Sequence, residues 1–206
     1  MTGQVWWYAA RSAGVVAWML LSLAVLGGLA LSTRAFGRRP RPNWLLDLHR
    51  FIGGLAVVFT AVHVLAILIE SYVHISILNV LFPFTGSWHP VAVAWGIVAM
   101  YALVAVEVTS LLRARLSPRA WRATHYLSFP LFVSATIHML SAGTDRHAPL
   151  LRGAFVLVVA GFAALVAIRI SRLDPPPSAP APARVPDAAR RALVGAGTGP
   201  QTGGDR

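Results

Sequence analysis

Five long apolar segments constrain this chain more than any other feature of its sequence. Each has about 20 residues or more, the length that an α-helix needs to cross a hydrocarbon core about 30 Å thick. The apolar residues come in runs rather than in the stripe of an amphipathic soluble helix. The pattern predicts an all-α integral membrane protein, a five-helix transmembrane bundle with helices at about residues 8–32, 48–73, 89–112, 121–142 and 150–170.

The segments divide the chain into two parts. Residues 1–173 hold all five and form the predicted transmembrane domain. Residues 174–206 begin with Asp174 and three prolines and continue in Pro, Ala, Gly and Thr, with too few large apolar residues to build a core. We expect this part to be a disordered cytoplasmic tail, and we expect no FAD or NAD site, since no strand-loop-helix phosphate motif occurs there.

Composition narrows the class of function. All 18 basic residues are arginine, and those that fall inside an apolar segment lie within four residues of its end. The net charge of +11 therefore fits contact with anionic membrane lipid better than a nucleic-acid partner. The chain has no cysteine, which excludes disulfides and thiolate-bound metal clusters. Absence of lysine with abundant Ala, Arg, Gly and Pro is typical of a GC-rich bacterial genome.

The loop arginines predict the orientation in the membrane. They concentrate after the first segment, between the third and fourth, and after the fifth, while the other loops are poor in arginine. Because positive loops stay in the cytoplasm, we expect the N-terminus outside and the C-terminus in the cytoplasm of a bacterial inner membrane. The arginines on which this rests are Arg34, Arg38, Arg39, Arg41, Arg113, Arg115, Arg119, Arg122, Arg169 and Arg172.

Four histidines lie within two of the segments. His49 and His63 are fourteen residues apart in the second, and His125 and His138 are thirteen apart in the fourth. A helical rise of 1.5 Å per residue separates the members of each set by about 20 Å. By the predicted orientation, each depth then holds one histidine from each helix. Two opposed imidazoles can ligate one haem iron, so we predict haem b between His49 and His125 on the cytoplasmic side and between His63 and His138 outside.

Helical phase places His49 and His63 on a shared helix face, but it does not do so for His125 and His138. Fourteen residues bring His63 to within about 40° of the face of His49, whereas thirteen leave His138 about 140° from the face of His125. Pro130 lies between the latter two and can kink a helix or change its winding. We therefore predict a distortion near residues 126–130, and a single haem remains the alternative to two.

Residues beside the histidines complete the predicted site. Arg50 and Arg122 are suited to haem propionates, because a guanidinium pairs well with carboxylate oxygens. Gly53 lies one turn after His49 and would leave space for a porphyrin. The arginines also fit as ordinary cytoplasmic-side charges, and the glycine fits as a helix-packing residue.

Other titratable residues have competing interpretations. Glu107, near the cytoplasmic end of the third segment, is expected to pair with Arg113 or a neighbouring arginine or, less favoured, to serve a proton or quinone site. His74, His89 and His147 fall at the outer surface by this orientation. They are either solvated interfacial histidines or metal ligands, and His89 has a further role as the residue that starts the third helix.

The spacings His49-x13-His63 and His125-x12-His138, in alternate helices of a small bundle, resemble the ferric reductase-like transmembrane domain family. The resemblance covers about residues 8–172, with the second segment similar to the family's first ligand helix and residues 121–138 similar to its second. It implies a b-type dihaem core that moves electrons across the membrane. His49 and His125 would be the inner ligands, and His63 and His138 the outer ones.

The departures from the family imply separate partners. Many relatives have six spans, and reductases and oxidases of the family continue into cytoplasmic FAD and nicotinamide domains. The electron donor would therefore be a flavoprotein reductase or a quinol. The acceptor would be ferric iron, oxygen or an extracytoplasmic protein. The alternative from another class is a non-redox membrane protein, a small transporter or assembly factor whose histidines relay protons or bind a metal.

Overall fold

The computed structural model describes residues 2–33, 43–70, 75–145 and 147–171. In these ranges the chain is helical apart from turns and contains no strand, which confirms the all-α prediction. A three-residue 3-10 turn at Arg113–Arg115 accompanies the helices. The α-helices of the described ranges are α1 (Thr2–Thr33), α2 (Asn43–Ile69), α3 (Ile77–Leu81), α4 (Pro90–Leu111), α5 (Pro118–His125), α6 (Ser128–Ala142) and α7 (Pro149–Ser171).

Four of the described helices are long and apolar enough to cross a membrane, and they match the first, second, third and fifth predicted segments. The protein is therefore a multi-pass membrane protein. The fourth predicted segment, 121–142, needs a correction, because it is two helices in series, α5 with 8 residues and α6 with 15. The four long helices cover Gln4–Thr33, Asn43–Ile69, Pro90–Leu111 and Pro149–Ser171.

The break between α5 and α6 lies at Tyr126 and Leu127, where we predicted a distortion. Pro130 has no N–H, so the Tyr126 carbonyl accepts a hydrogen bond from the Phe129 amide instead, at 3.2 Å. The Leu127 amide likewise donates to the carbonyl three residues before it. Such 3-10 winding turns about 120° per residue instead of about 100°. Each residue wound in this way adds about 20° of rotation. The addition has the same sense as the rotation of about 140° by which thirteen residues of regular α-helix fall short of four whole turns.

Helices α1 and α2 pack side by side and antiparallel, and so do α4 and α6. The apolar core lies where these four helices meet, at the middle of the bundle. α7 packs against α1 and has no buried residue, as expected for a helix whose apolar surface faces lipid. The core residues are Leu21, Val25, Ala56, Ala99, Leu103, Leu131 and Phe132.

Contacts between helix ends define two ends of the bundle. At the first, Arg169 of α7 donates to the Ser32 hydroxyl of α1 at 2.7 Å and to the Tyr126 hydroxyl at 3.4 Å. We call this the basic end, and Arg11 and Asp145 form an ion pair at the opposite end. The predicted tail at 174–206 and several arginines used for orientation lie outside the described residues: Arg34, Arg38, Arg39, Arg41 and Arg172.

Candidate functional site

The four membrane histidines form two pairs. The ring centroids of His49 and His125 are 6.2 Å apart, with planes inclined at 68°. Those of His63 and His138 are 6.3 Å apart and inclined at 74°. A metal–imidazole bond is about 2 Å long and the ring centroid lies roughly 1 Å behind the nitrogen, so one metal ion between two imidazoles places their centroids about 6 Å apart. Both pairs have the separation that one shared metal ion requires.

A backbone hydrogen bond fixes the orientation of two of these rings. Nδ1 of His63 lies 2.7 Å from the Ala10 carbonyl oxygen, and Nδ1 of His138 lies 2.8 Å from that of Ala92. A carbonyl can only accept, so Nδ1 carries the proton in both rings. Nε2 of each ring is then the unprotonated nitrogen, which is the form that binds a metal ion.

The same packing arrangement recurs at three of the four histidines. Each ring lies against a glycine that comes four residues after an alanine on the neighbouring helix. A Cβ placed on Gly14 would lie 2.9 Å from His63 Nδ1, and one on Gly96 would lie 2.7 Å from His138 Nδ1. The glycines therefore let each imidazole reach the backbone of the next helix, in the manner of the small-residue contacts between membrane helices.

His49 packs on Gly28 in a similar way. A Cβ on Gly28 would lie 3.0 Å from His49 Cε1. The carbonyl of Ala24, four residues earlier, interacts with this ring. Nδ1 of His49 is nevertheless buried without a hydrogen bond of normal geometry.

His125 is held by side chains instead of a glycine. Trp121, one turn earlier on α5, stacks on it with ring centroids 4.9 Å apart. The guanidinium of Arg113 covers the Trp121 ring at 4.5 Å from its centroid. The Ser110 hydroxyl lies 3.5 Å from His125 Nδ1. These contacts hold the imidazole in place on the short helix α5.

A large cavity lies at the His63–His138 pair. Its empty space is about 1460 Å³, open mouth included, and both imidazoles line it. Apolar side chains of α1, α2, α4 and α6 form most of the wall. The ion pair of Arg11 and Asp145 lines it towards the opposite end, and so does buried Glu70. The cavity is therefore an apolar slot between two ligand-type nitrogens, with charged groups towards one end.

A family model described as "Ferric reductase like transmembrane component" matches residues 13–136, which is more than half of the chain. The chain belongs to this ferric reductase-like family. No match was found among curated proteins or among solved structures. Membership of this family makes the protein a membrane redox component.

The match to the ferric reductase-like family is shorter than the resemblance predicted over residues 8–172. It contains His49, His63 and His125 and ends two residues before His138. The fourth histidine is therefore placed by the structure, through its contact with Gly96 and its closeness to His63, rather than by the family match.

Arg50 and Arg122, the predicted neighbours of His49 and His125, lie at the basic end. Arg50 is exposed and pairs with Asp47, with a nitrogen–oxygen distance of 3.4 Å. Arg122 is also exposed, three residues before His125 on α5, and its Nε donates to the Pro118 carbonyl at 3.1 Å. Their predicted role with propionates stays a prediction.

Two other expectations need correction or restriction. Glu107 does not pair with Arg113, because the Arg113 guanidinium lies over Trp121 instead. His89 does precede the first residue of α4, as expected, with φ of 41° and its ring edge-on to Trp88.

In the described ranges no three ligand-type side chains gather as a metal site. His147 lies 3.2 Å from Arg152, and His74 is outside the described residues.

Sequence reasoning missed several residues of the site. A signal was available for two of them, because Gly14 and Gly28 are separated by fourteen residues, as are the histidines that they contact. Gly96 and Trp121 carried no comparable signal. Their partners are known only once the order of the helices in space is known.

Proposed function

We propose that this protein is the membrane electron-transfer subunit of an oxidoreductase and carries two b-type haems. The observation that carries the proposal is the separation of the imidazole rings, 6.2 Å in one pair and 6.3 Å in the other. Histidines that served only in separate hydrogen bonds would have no reason to share this ring separation in two pairs. A metal ion held between the two rings of each pair would require the same separation in both.

Besides the separation of the rings, other features of these residues also fit a haem. The hydrogen bonds at Nδ1 of His63 and His138 leave Nε2 directed away from the neighbouring backbone. Glycines at 14, 28 and 96 give the rings room. The cavity at the outer pair is mainly apolar, as cofactor pockets usually are.

Each part of the site then has a role. His49 and His125 hold one haem at the basic end, and His63 and His138 hold the other. A bound haem supplies a reversible one-electron change at its iron, and the protein determines its potential and surroundings. Arg50 and Arg122 neutralise propionates at the basic end. The apolar core between the pairs keeps water out of the path.

The direction and partners follow from the expected orientation. Electrons enter at the basic end from a separate flavoprotein reductase or from membrane quinol. They leave at the opposite end, in the bacterial inner membrane, to ferric iron, oxygen or an extracytoplasmic protein. With two histidines holding each haem, the iron would supply electron transfer to an acceptor rather than a binding site for it.

Optical spectra of the purified protein test the proposal. We expect a b-type α-band in the reduced-minus-oxidised spectrum and a pyridine haemochrome assay near two haems per chain. A ratio near one would replace the two-haem proposal by the single-haem alternative. Absence of haem would refute the redox function and favour a non-redox membrane protein with proton-relay or metal-binding histidines.

A further inference from the structure

Glu107 lies on the face of α4 that contacts both histidine pairs. On this helix Gly96 packs against His138, and Ser110 lies beside His125. Glu107 comes eleven residues after Gly96, which returns it to within about 20° of the same face at 100° per residue. Its carboxyl group therefore projects towards the interior that the two pairs share, rather than towards lipid.

The carboxyl group is closer in depth to the pair at the basic end. A Cβ on Gly53 would lie 3.6 Å from Glu107 Oε2, and one on Gly54 would lie 3.9 Å from Oε1. Gly53 is four residues from His49 and ten from His63, which correspond to about 6 Å and 15 Å along the helix axis. The space that Gly53 and Gly54 leave open is therefore next to a carboxylate, one turn from the inner pair.

No cation neutralises this carboxylate among the described residues. Arg113, the expected partner, lies over Trp121, and Arg50 pairs with Asp47. An ionised carboxylate inside a membrane bundle is costly without a partner. The titratable and charged side chains on the described elements packed against α4 are Asp47, His49, Arg50 and His63 of α2, Arg113 and Arg115 of the 3-10 turn, Arg119, Arg122 and His125 of α5, and His138 of α6.

We propose that the carboxyl group of Glu107 is a redox-linked proton site for the His49–His125 pair. The inference rests on the proposed function, since it needs a haem between these two imidazoles. When one electron from the flavin, the quinol or a chemical reductant converts ferric to ferrous iron there, Glu107 takes one proton from water and becomes a carboxylic acid. When the electron leaves, the proton leaves. The site then keeps its net charge, which lowers the cost of reduction in a medium of low dielectric constant.

Redox titration of the purified haem-loaded protein across a range of pH tests this proposal. The inner haem is identified as the one that remains in His138→Ala. Its midpoint potential should fall with pH, approaching 59 mV per unit where a tenfold change in proton concentration is fully linked to one electron. The slope should disappear in Glu107→Gln and remain in Glu107→Asp. The exposed carboxylate of Asp47, changed in Asp47→Asn, is the matched control and should leave the slope unchanged.

Infrared difference spectra supply a second measurement, whose first step uses the wild type alone and whose second step assigns the band with Glu107→Gln. Reduction should produce a carboxylic acid carbonyl band, and Glu107→Gln should lack it. An unchanged slope in Glu107→Gln, or no such band in the wild type, would overturn this inference alone. A chain without haem would overturn the proposed function as well, so the two failures can be told apart.

Discussion

Gly96 of α4 and His138 of α6 are in such close contact that a Cβ on the glycine would lie 2.7 Å from Nδ1 of the histidine. Real Cβ atoms do not approach a neighbour this closely, so any side chain at 96 must displace the imidazole. The contact also lets Nδ1 reach the Ala92 carbonyl at 2.8 Å. One glycine thus determines both the position and the protonated nitrogen of a proposed ligand.

The equivalent contact at His49 offers a matched pair of adjacent glycines. A Cβ on Gly28 would lie 3.0 Å from His49 Cε1, while one on Gly27 would have no neighbour within 4 Å. Gly28→Ala should displace His49 and reduce the haem-to-chain ratio from two towards one. Gly27→Ala should keep both haems and gain up to about 1 kcal/mol of helix stability. Equal haem content in the two variants would show that the contact has no role in haem binding.

We expect Pro130 to determine the position of His138 in the His63–His138 pair. Pro130→Ala restores an amide that can bond to the Tyr126 carbonyl, so α5 and α6 can join as one regular helix. The extra rotation at the break is then lost and His138 turns away from His63. We expect loss of the outer haem, measured by pyridine haemochrome. Pro149→Ala, at the first position of α7 where proline and alanine are both tolerated, should retain two haems.

If Pro130→Ala keeps two haems with an unchanged spectrum, the break does not position His138. To exclude misfolding as the cause of a lower haem content, the Pro130→Ala protein must keep its normal size in gel filtration and its normal helix content by circular dichroism.

Trp121 should affect the inner haem alone. Its ring stacks on His125, and an aromatic contact of this kind contributes about 0.5–1.5 kcal/mol. Trp121→Ala should therefore weaken retention of the inner haem by roughly two- to tenfold, measured as the rate of haem transfer to an acceptor protein. Trp95→Ala, which removes a tryptophan exposed on α4, is the control. Equal transfer rates for the two variants would exclude a positioning role for Trp121.

The paired depths of the histidines could be predicted because a helix has a fixed rise, so fourteen and thirteen residues translate directly into distance. The break at Tyr126 could be predicted because proline removes an amide whatever surrounds it. The contacts of His49 with Gly28 and of His138 with Gly96 could not, since they depend on which helices are neighbours. The predicted pairing of Glu107 with Arg113 was wrong because Trp121 offers the guanidinium an aromatic face nearby.

Haem content of double histidine variants tests the two-pair arrangement most directly. Each single change of histidine to alanine should leave one haem per chain. His63→Ala combined with His138→Ala should still leave one, because both ligands serve the same haem. His63→Ala combined with His49→Ala should leave none. The two-pair arrangement is contradicted if the first combination removes both haems or the second retains one.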